Sequence, residues 1–264
     1  MKKIAITLLF LAGTAISAHE FWLEPQHFYL HKGETLTLKF LVGEDFNGEN
    51  WKGNRSSVEK LQLFYNEIKD NLEQLIPDSL QGDSLKLQFF DEGTALIAYQ
   101  STNKSITLEP AKFLEYLKED GLDNAIRYRE DHQETDSSGR ELYQRCAKTI
   151  FQVGNKTDQS FSQVCGLPSE FIPLTNPYSL KDGDEMAVKI LVEGKPADGL
   201  MIKTWHRVNG KTTKKDLLTD SSGVVRFPVS LTGKWMVSNV RMARLESNAN
   251  ADWQSYWASL TWGY

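Results

Sequence analysis

The chain has 264 residues, 40% hydrophobic and 11% aromatic, which is enough apolar material for one long domain or two small ones. Lys and Arg total 30 against 35 Asp and Glu, a formal charge of −5. That mildly acidic balance argues against nucleic-acid binding, which calls for a basic face.

In chain order, Lys2 and Lys3 precede an apolar run from Ile4 to Ala12, and Ile16-Ser17-Ala18 follows with residues suited to cleavage. The pattern predicts a secretory signal peptide over residues 1–18. The apolar run is too short for a membrane span, and no cysteine follows it to carry a lipid anchor. Cleavage after Ala18 would make His19 the first residue of a soluble periplasmic protein with no transmembrane segment.

Strand patterns dominate the next 90 residues. "HFYLHKGETLTLKFLVG" predicts two strands around a Lys32-Gly33 turn, and "EKLQLFYNE", "SLKLQFF" and "TALIAYQS" alternate in the same way. Residues 110–132 break the rhythm. Phe113, Leu114, Leu117, Leu122, Ala125 and Ile126 recur at helical spacing, with Pro110 near the start and Gly121 as a break. This predicts two short helices inserted into a β domain. "GRELYQRCAKTIFQVG" is expected to open as a helical turn and end as a strand. Prolines and turn residues cluster near 166–180 and predict a linker there. Beyond it, "GKPADG", "TDSSGVVRFPV" and "GKWMV" look like a small prealbumin or carboxypeptidase-regulatory sandwich, with Asp220 and Gly223 serving a tight turn.

The expected fold is therefore mainly β, with two β-sandwich domains. The first covers residues 19–165 with its helical insertion, and the second, prealbumin-like, covers 181–264. Cys146 and Cys165 are the only cysteines. In an oxidising compartment a lone pair most simply forms one disulfide, here closing a polar loop around "GNKTDQS".

Seven stretches, taken together and in order, resemble a known family. They are "AHEFWLEP", "LVGEDFNGE", "AKFLEYLKEDGLDNAI", "GRELYQRCAKTIFQVG", "GKPADG", "TDSSGVVRF" and "ADWQSYWASLTW". The family is a periplasmic one of unknown function whose members are described as nickel or cobalt uptake substrate-specific proteins. The resemblance implies an exported β-rich protein linked to transition-metal uptake. It also implies a histidine in the strand before the "ADW" segment, where this chain has Arg241 in "SNVRMARLE". An always-protonated guanidinium offers a metal no lone pair.

The chain has five histidines, His19, His27, His31, His132 and His206, and imidazole nitrogen suits borderline transition metals. A first-position His19 carries an α-amine and an imidazole, both able to lose protons near neutral pH when a metal competes. A partner histidine opposite would complete a three-nitrogen brace suited to Cu(II) or Ni(II). His206 lies in "MIKTWHRV" on a strand, where packing explains it more simply than ligation. His27 and His31 flank "FYL" and could pair near solvent on one strand face. His132 suits the end of the inserted helix.

Other polar groups have plain explanations. Glu44, Asp45 and Glu49 are loop carboxylates without calcium-loop spacing. Glu141, Arg145 and Lys148 have helical spacing, and Glu141–Arg145 would be an ordinary ion pair on a helix. Trp253, Tyr256, Trp257 and Trp262 suit packing better than a sugar platform. No nucleophile triad or phosphate loop stands out.

The leading expectation is thus a periplasmic protein that binds Ni, Co or Cu at His19, with His206, His27 and His31 as further candidate ligands, and hands the ion to an uptake transporter. The alternatives are a copper histidine-brace oxidoreductase and a non-catalytic adhesion or interaction module.

Overall fold

The computed structural model describes residues 20–79 and 82–264; the expected leader and His19 lie outside the described residues. The N-terminal part forms β1 (Glu20–Pro25), β2 (Tyr29–Leu30), β3 (Thr35–Glu44), β4 (Asn47–Asn50), β5 (Val58–Tyr65) and β6 (Ile68–Asn71). It continues with β7 (Ser84–Gln88), β8 (Gly93–Ser101), β9 (Lys104–Leu108), α1 (Pro110–Glu119), α2 (Asp123–Asp131) and β10 (Gly139–Val153). Then follow β11 (Ser169–Pro173), β12 (Glu185–Val192), β13 (Lys195–Pro196), β14 (Met201–Val208) and β15 (Lys211–Leu218). The chain closes with β16 (Val224–Pro228), β17 (Lys234–Arg244) and β18 (Trp253–Gly263).

The fold is mainly β, as the alternation of apolar and polar residues predicts. In β3, Leu36, Leu38 and Phe40 are fully buried while Thr35 and Lys39 are exposed. The period of two therefore sets one inward face. β2 and β3 flank the Lys32-Gly33 turn without pairing with each other. β2 runs parallel to β10, and β3 pairs with β1.

Three sheets stack. A ten-stranded sheet has the order β15-β14-β17-β18-β10-β8-β5-β6, with β2 and β9 also on β10. One of its faces packs Cys146, Ile150, Leu260 and Trp262 against Phe171, Val188 and Phe227 of the β11-β12-β16 sheet. The other packs Ile97, Tyr99, Ala147 and Phe151 against Phe21, Leu23, Leu38 and Phe40 of the β1-β3 sheet. Farther along that second face, α1 and α2 bury Phe113, Tyr116, Leu117 and Ala125 against Val240, Met242 and Trp253. Burying each large apolar side chain contributes roughly 1.5–3 kcal/mol.

β18 runs parallel to β10, from Glu141↔Trp253 to Thr149↔Thr261. Strands from both halves of the chain thus share the central sheet. Within the stretch read as a linker, Ser169–Pro173 is strand β11, paired to β12.

Two local expectations need correction. "GRELYQRCAK" is strand throughout, because β10 has a ladder on each edge, to β9 on one side and to β18 on the other. Backbone pairing on both sides outweighs the helical spacing of a few side chains. Glu141 and Arg145 are consequently not a helical ion pair. Secondly, the structure has no Cys146–Cys165 disulfide: both are free, buried thiols in one apolar cluster. Cys165 Sγ donates to the Gln163 carbonyl at 3.4 Å. Burial pushes the Cys146 thiol up to about 12 and the Cys165 thiol up to about 11, so both stay protonated and pack as small apolar groups.

The Asp220–Gly223 turn forms as expected. Asp220 Oδ1 accepts from the backbone N–H of Ser222 at 2.8 Å and of Val224 at 3.0 Å. Gly223 has φ +73°, and a Cβ there would stand 2.8 Å from the Ala197 nitrogen. Gly223→Ala should therefore lower stability by roughly 1–3 kcal/mol. The drop should be read as a lower urea midpoint with unchanged denaturant slope. An unmoved midpoint would contradict this account of the turn.

Candidate functional site

The polar residues of interest lie in the seam where the helical insertion meets the β1-β3 sheet over the central sheet. Their positions begin with how α1 stops. Gly121 adopts φ +64°. The Leu122 N–H then reaches the Leu117 carbonyl at 2.8 Å, and the Gly121 N–H reaches that of Lys118 at 3.3 Å. This paired closure ends a helix when glycine takes the left-handed position. It leaves Asp120 as the last half-helical residue, 5% exposed, with its side chain against β14.

From β1 comes Glu20, the first described residue. Its backbone is paired with Gly43 and the residue is only 8% exposed. From β14 comes Lys203, 4% exposed. Lys203 Nζ donates to Asp120 Oδ1 at 2.6 Å and stands 3.9 Å from Glu20 Oε1. Two buried carboxylates thus share one ammonium. Burial works to lower the Lys203 pKa, but Asp120 and Glu20 outweigh it and hold it above its ordinary value. Burial likewise raises the Glu20 carboxyl to about 7, against the pull of Lys203.

Glu20, Asp120, Ser238, Trp257 and Ser259 help line a narrow pocket with about 10 Å³ of free space, room for one water-sized occupant. Two of the hydrogen-bond donors around it are committed. Ser259 Oγ donates to the Phe21 carbonyl at 2.8 Å, and Trp257 Nε1 donates to Ser255 Oγ at 3.0 Å. Asp120 Oδ2 is buried and has no partner among the described residues.

A third acid adjoins the pocket through Trp257 and Ser255. Glu141, 2% exposed, accepts at Oε1 from Tyr116 OH at 3.2 Å and is hydrogen-bonded to Ser255 Oγ. The Tyr116 and Trp257 rings stack with centroids 5.5 Å apart. Burial raises the Glu141 carboxyl to about 7 despite these hydrogen bonds. Arg145, on the same face of β10, lays its guanidinium 5.0 Å from the Phe21 ring centre. Lys148 faces the opposite core and pairs with Glu170 at 3.0 Å. Strand geometry therefore sends Glu141, Arg145 and Lys148 to three separate places.

Among the described residues, the candidate histidines do not converge. His19 lies outside the described residues. His27 and His31 are exposed on either side of β2, and His27 borders an open cleft with Arg207, Lys234 and Tyr264. His206 stacks on Trp235 at 4.1 Å, and its Nε2 meets the Thr232 carbonyl at 2.8 Å. Packing and that contact account for its ring. His132 stacks on Tyr128 at the end of α2. Among the described residues, no three His, Cys, Asp or Glu side chains gather as a metal site. Arg241 donates to the Met242 carbonyl at 2.8 Å.

Sequence reasoning missed Asp120, Lys203 and the burial of Glu20. The one local signal was the "EDG" end of the predicted helix, which fixes Asp120 at the stop. Lys203 gives no such sign, since its partner lies 83 residues away.

The family model described as "Domain of unknown function (DUF4198)" matches residues 16–242. No curated protein matches. Among solved structures, the D0–D1 domain of intimin is 11% identical, with 93% of this chain and 98% of that one covered at TM-score 0.20. A DUF4785 family protein from Legionella pneumophila is 8% identical, covering 82% of this chain and 50% of that one at TM-score 0.24. An alpha-2-macroglobulin from Escherichia coli is 11% identical, covering 97% and 16% at TM-score 0.21. Similarities this slight carry no argument about function.

Proposed function

The chain belongs to the DUF4198 family, and we propose that its mature form is a periplasmic protein that binds Ni(II), Co(II) or Cu(II) through His19 and passes the ion to an uptake transporter. One observation carries this reading. Glu20, the residue after the expected cleavage point, is anchored rather than free. It is held by the β1 ladder and buried beside an acceptor-rich pocket.

A chain starting at His19 would carry its α-amine and imidazole on the residue next to that anchor, whose Cα lies about 3.8 Å away across one peptide bond. Anchoring matters because a fixed neighbour lowers the cost of ordering the two nitrogens when metal binds. Two nitrogens from one residue form a chelate that suits borderline divalent ions. Leader cleavage is also required, since an uncut chain has an amide where the amine should be.

Isothermal titration of the mature protein with NiCl₂, CoCl₂ and CuCl₂ tests the reading. His19→Ala should weaken binding at least ~100-fold, about 2.8 kcal/mol. Equal, weak binding by both proteins would overturn it.

A further inference from the structure

We infer that Lys203 and Asp120 condense into an intramolecular amide, with the Glu20 carboxyl group carrying protons for the reaction. The bond is one the folded chain makes within itself, between the end of α1 and β14, and it is independent of metal binding. Three features support it.

The first is juxtaposition. Lys203 Nζ lies 2.6 Å from Asp120 Oδ1, so the carbon it would attack, Cγ, is one bond beyond its hydrogen-bond partner. Both side chains are buried, at 5% and 4% exposure. Groups held in a reactive geometry gain effective molarities of about 10⁵–10⁸ M, which favours a condensation that water opposes when the groups are free.

The second is an adjacent acid. Glu20 Oε1 stands 3.9 Å from the same Nζ, and Glu20 and Asp120 line one pocket. Burial raises the Glu20 carboxyl to about 7, so near neutral pH it can both give and take a proton. The third is Asp120 Oδ2, buried without a partner among the described residues. The carboxylate is therefore poorly solvated, which favours its uncharged form. Lys148 and Glu170 show the contrast. There a single carboxylate faces the lysine, and three backbone N–H groups hold it as an anion, which keeps that pair ionic.

At rest Lys203 is an ammonium, held so by Asp120 and Glu20. Nζ first passes a proton to Oδ1 along their hydrogen bond, leaving a neutral amine beside a carboxyl group. The Nζ lone pair bonds to Cγ while Glu20 protonates Oδ2, and the nitrogen then returns a proton to Glu20. The Cγ–Oδ2 bond breaks, and that hydroxyl takes the Oδ1 proton and leaves as water. An amide N–H and a carbonyl remain, and Glu20 ends as it began. The pocket's free space of about 10 Å³ has room for that one water. The product ties the helical insertion to the central sheet by a bond that reduction does not open, in a chain whose two cysteines are free.

The test uses the full chain, purified, sequenced at its N-terminus, unfolded in guanidinium and weighed by mass spectrometry. Its mass should fall one water below that calculated from the sequenced N-terminus. A tryptic digest should contain a branched peptide that joins Asp120 to Lys203 and is uncut after Lys203. Lys203→Arg keeps a cation but has no amine to acylate, and should have its full mass. An Asp-Gly pair such as Asp120-Gly121 also loses one water when it closes on its own backbone nitrogen, so the branch decides, not the mass alone. A parent of full mass, a water loss without the branch or persisting in Lys203→Arg, or a branch from Lys203 to Glu20 would each overturn the inference. Glu20→Gln keeps the size without the acid. It should leave most chains unlinked at harvest, since general acid–base help is worth about 10²–10⁴-fold. Linkage as complete as the parent's would remove Glu20 from the reaction. Thermal melts establish that the variants are folded, and the parent's own digest decides the link without them.

Discussion

Glu170→Ala should lower folding stability by about 3–5 kcal/mol, the range for breaking a buried ion pair from one side. Glu170 and Lys148 have side chains 1% and 0% exposed and meet at 3.0 Å. The carboxylate also accepts from the backbone N–H groups of Cys165 at 2.9 Å, Gly166 at 2.8 Å and Leu167 at 3.3 Å. Lys148 Nζ donates in addition to the Gln163 carbonyl at 2.9 Å. Removing the carboxylate therefore strands a buried ammonium and three N–H groups together.

The opposite change has a milder consequence. Lys148→Met leaves Glu170 with its three backbone donors, so the remaining charge is still solvated by the protein. It should cost less than Glu170→Ala. Urea unfolding of both variants checks the order. Equal losses, or a loss under about 1 kcal/mol for Glu170→Ala, would contradict the account. The pair also explains what holds the Gln163–Leu167 turn where a disulfide was expected: a carboxylate clamps the backbone that the sulfur bridge would have closed.

Glu141→Gln should change how stability depends on pH by up to about 3 kcal/mol. Burial raises the folded carboxyl from 4.5 to about 7. Between those values the folded protein keeps a proton that the unfolded chain releases, so the slope of stability with pH is negative. The stabilising contribution is complete below about pH 4.5 and is lost as pH rises to about 7. Each pH decade carries about 1.4 kcal/mol, which sets the total. Besides Glu141, Tyr116 and Asp120 are titratable groups acting at this spot.

Glutamine keeps an Oε1 to accept from Tyr116 and Ser255 but has no proton to lose. Relative to the parent, Glu141→Gln should gain stability on going from about pH 5 to about pH 8. Urea midpoints at those two values decide the matter. The same pH dependence in both proteins would mean that Glu141 keeps an ordinary carboxylate pKa.

Much of the fold was legible because its signals are local. Alternation in β3, the Gly121 break between α1 and α2, and the Asp220–Gly223 turn each lie within a few residues. β10 misled for the opposite reason. Its helical spacing is local, but the ladders that make it a strand come from β9 and from β18, more than 100 residues later. The sharing of one sheet by both halves of the chain depends on that same distant pairing.

The site divides along the same line. His19 is marked by its place beside an expected cleavage point, which is a local feature. Asp120, Lys203 and Glu20 meet only through tertiary packing of a helix end, a central strand and the first strand. A polar residue within an apolar strand, such as Lys203 beside Ile202, hints at a buried partner but does not say which.

The central claim is that leader cleavage exposes His19 as a metal-binding first residue. Its most direct test is a joint measurement on protein isolated from its native source without chelators: N-terminal sequencing and metal content on the same sample. The account predicts His19 at the first position and close to one Ni, Co or Cu ion per chain. A mature terminus elsewhere, or a terminus at His19 with a chain that neither carries nor takes up these ions, would contradict it.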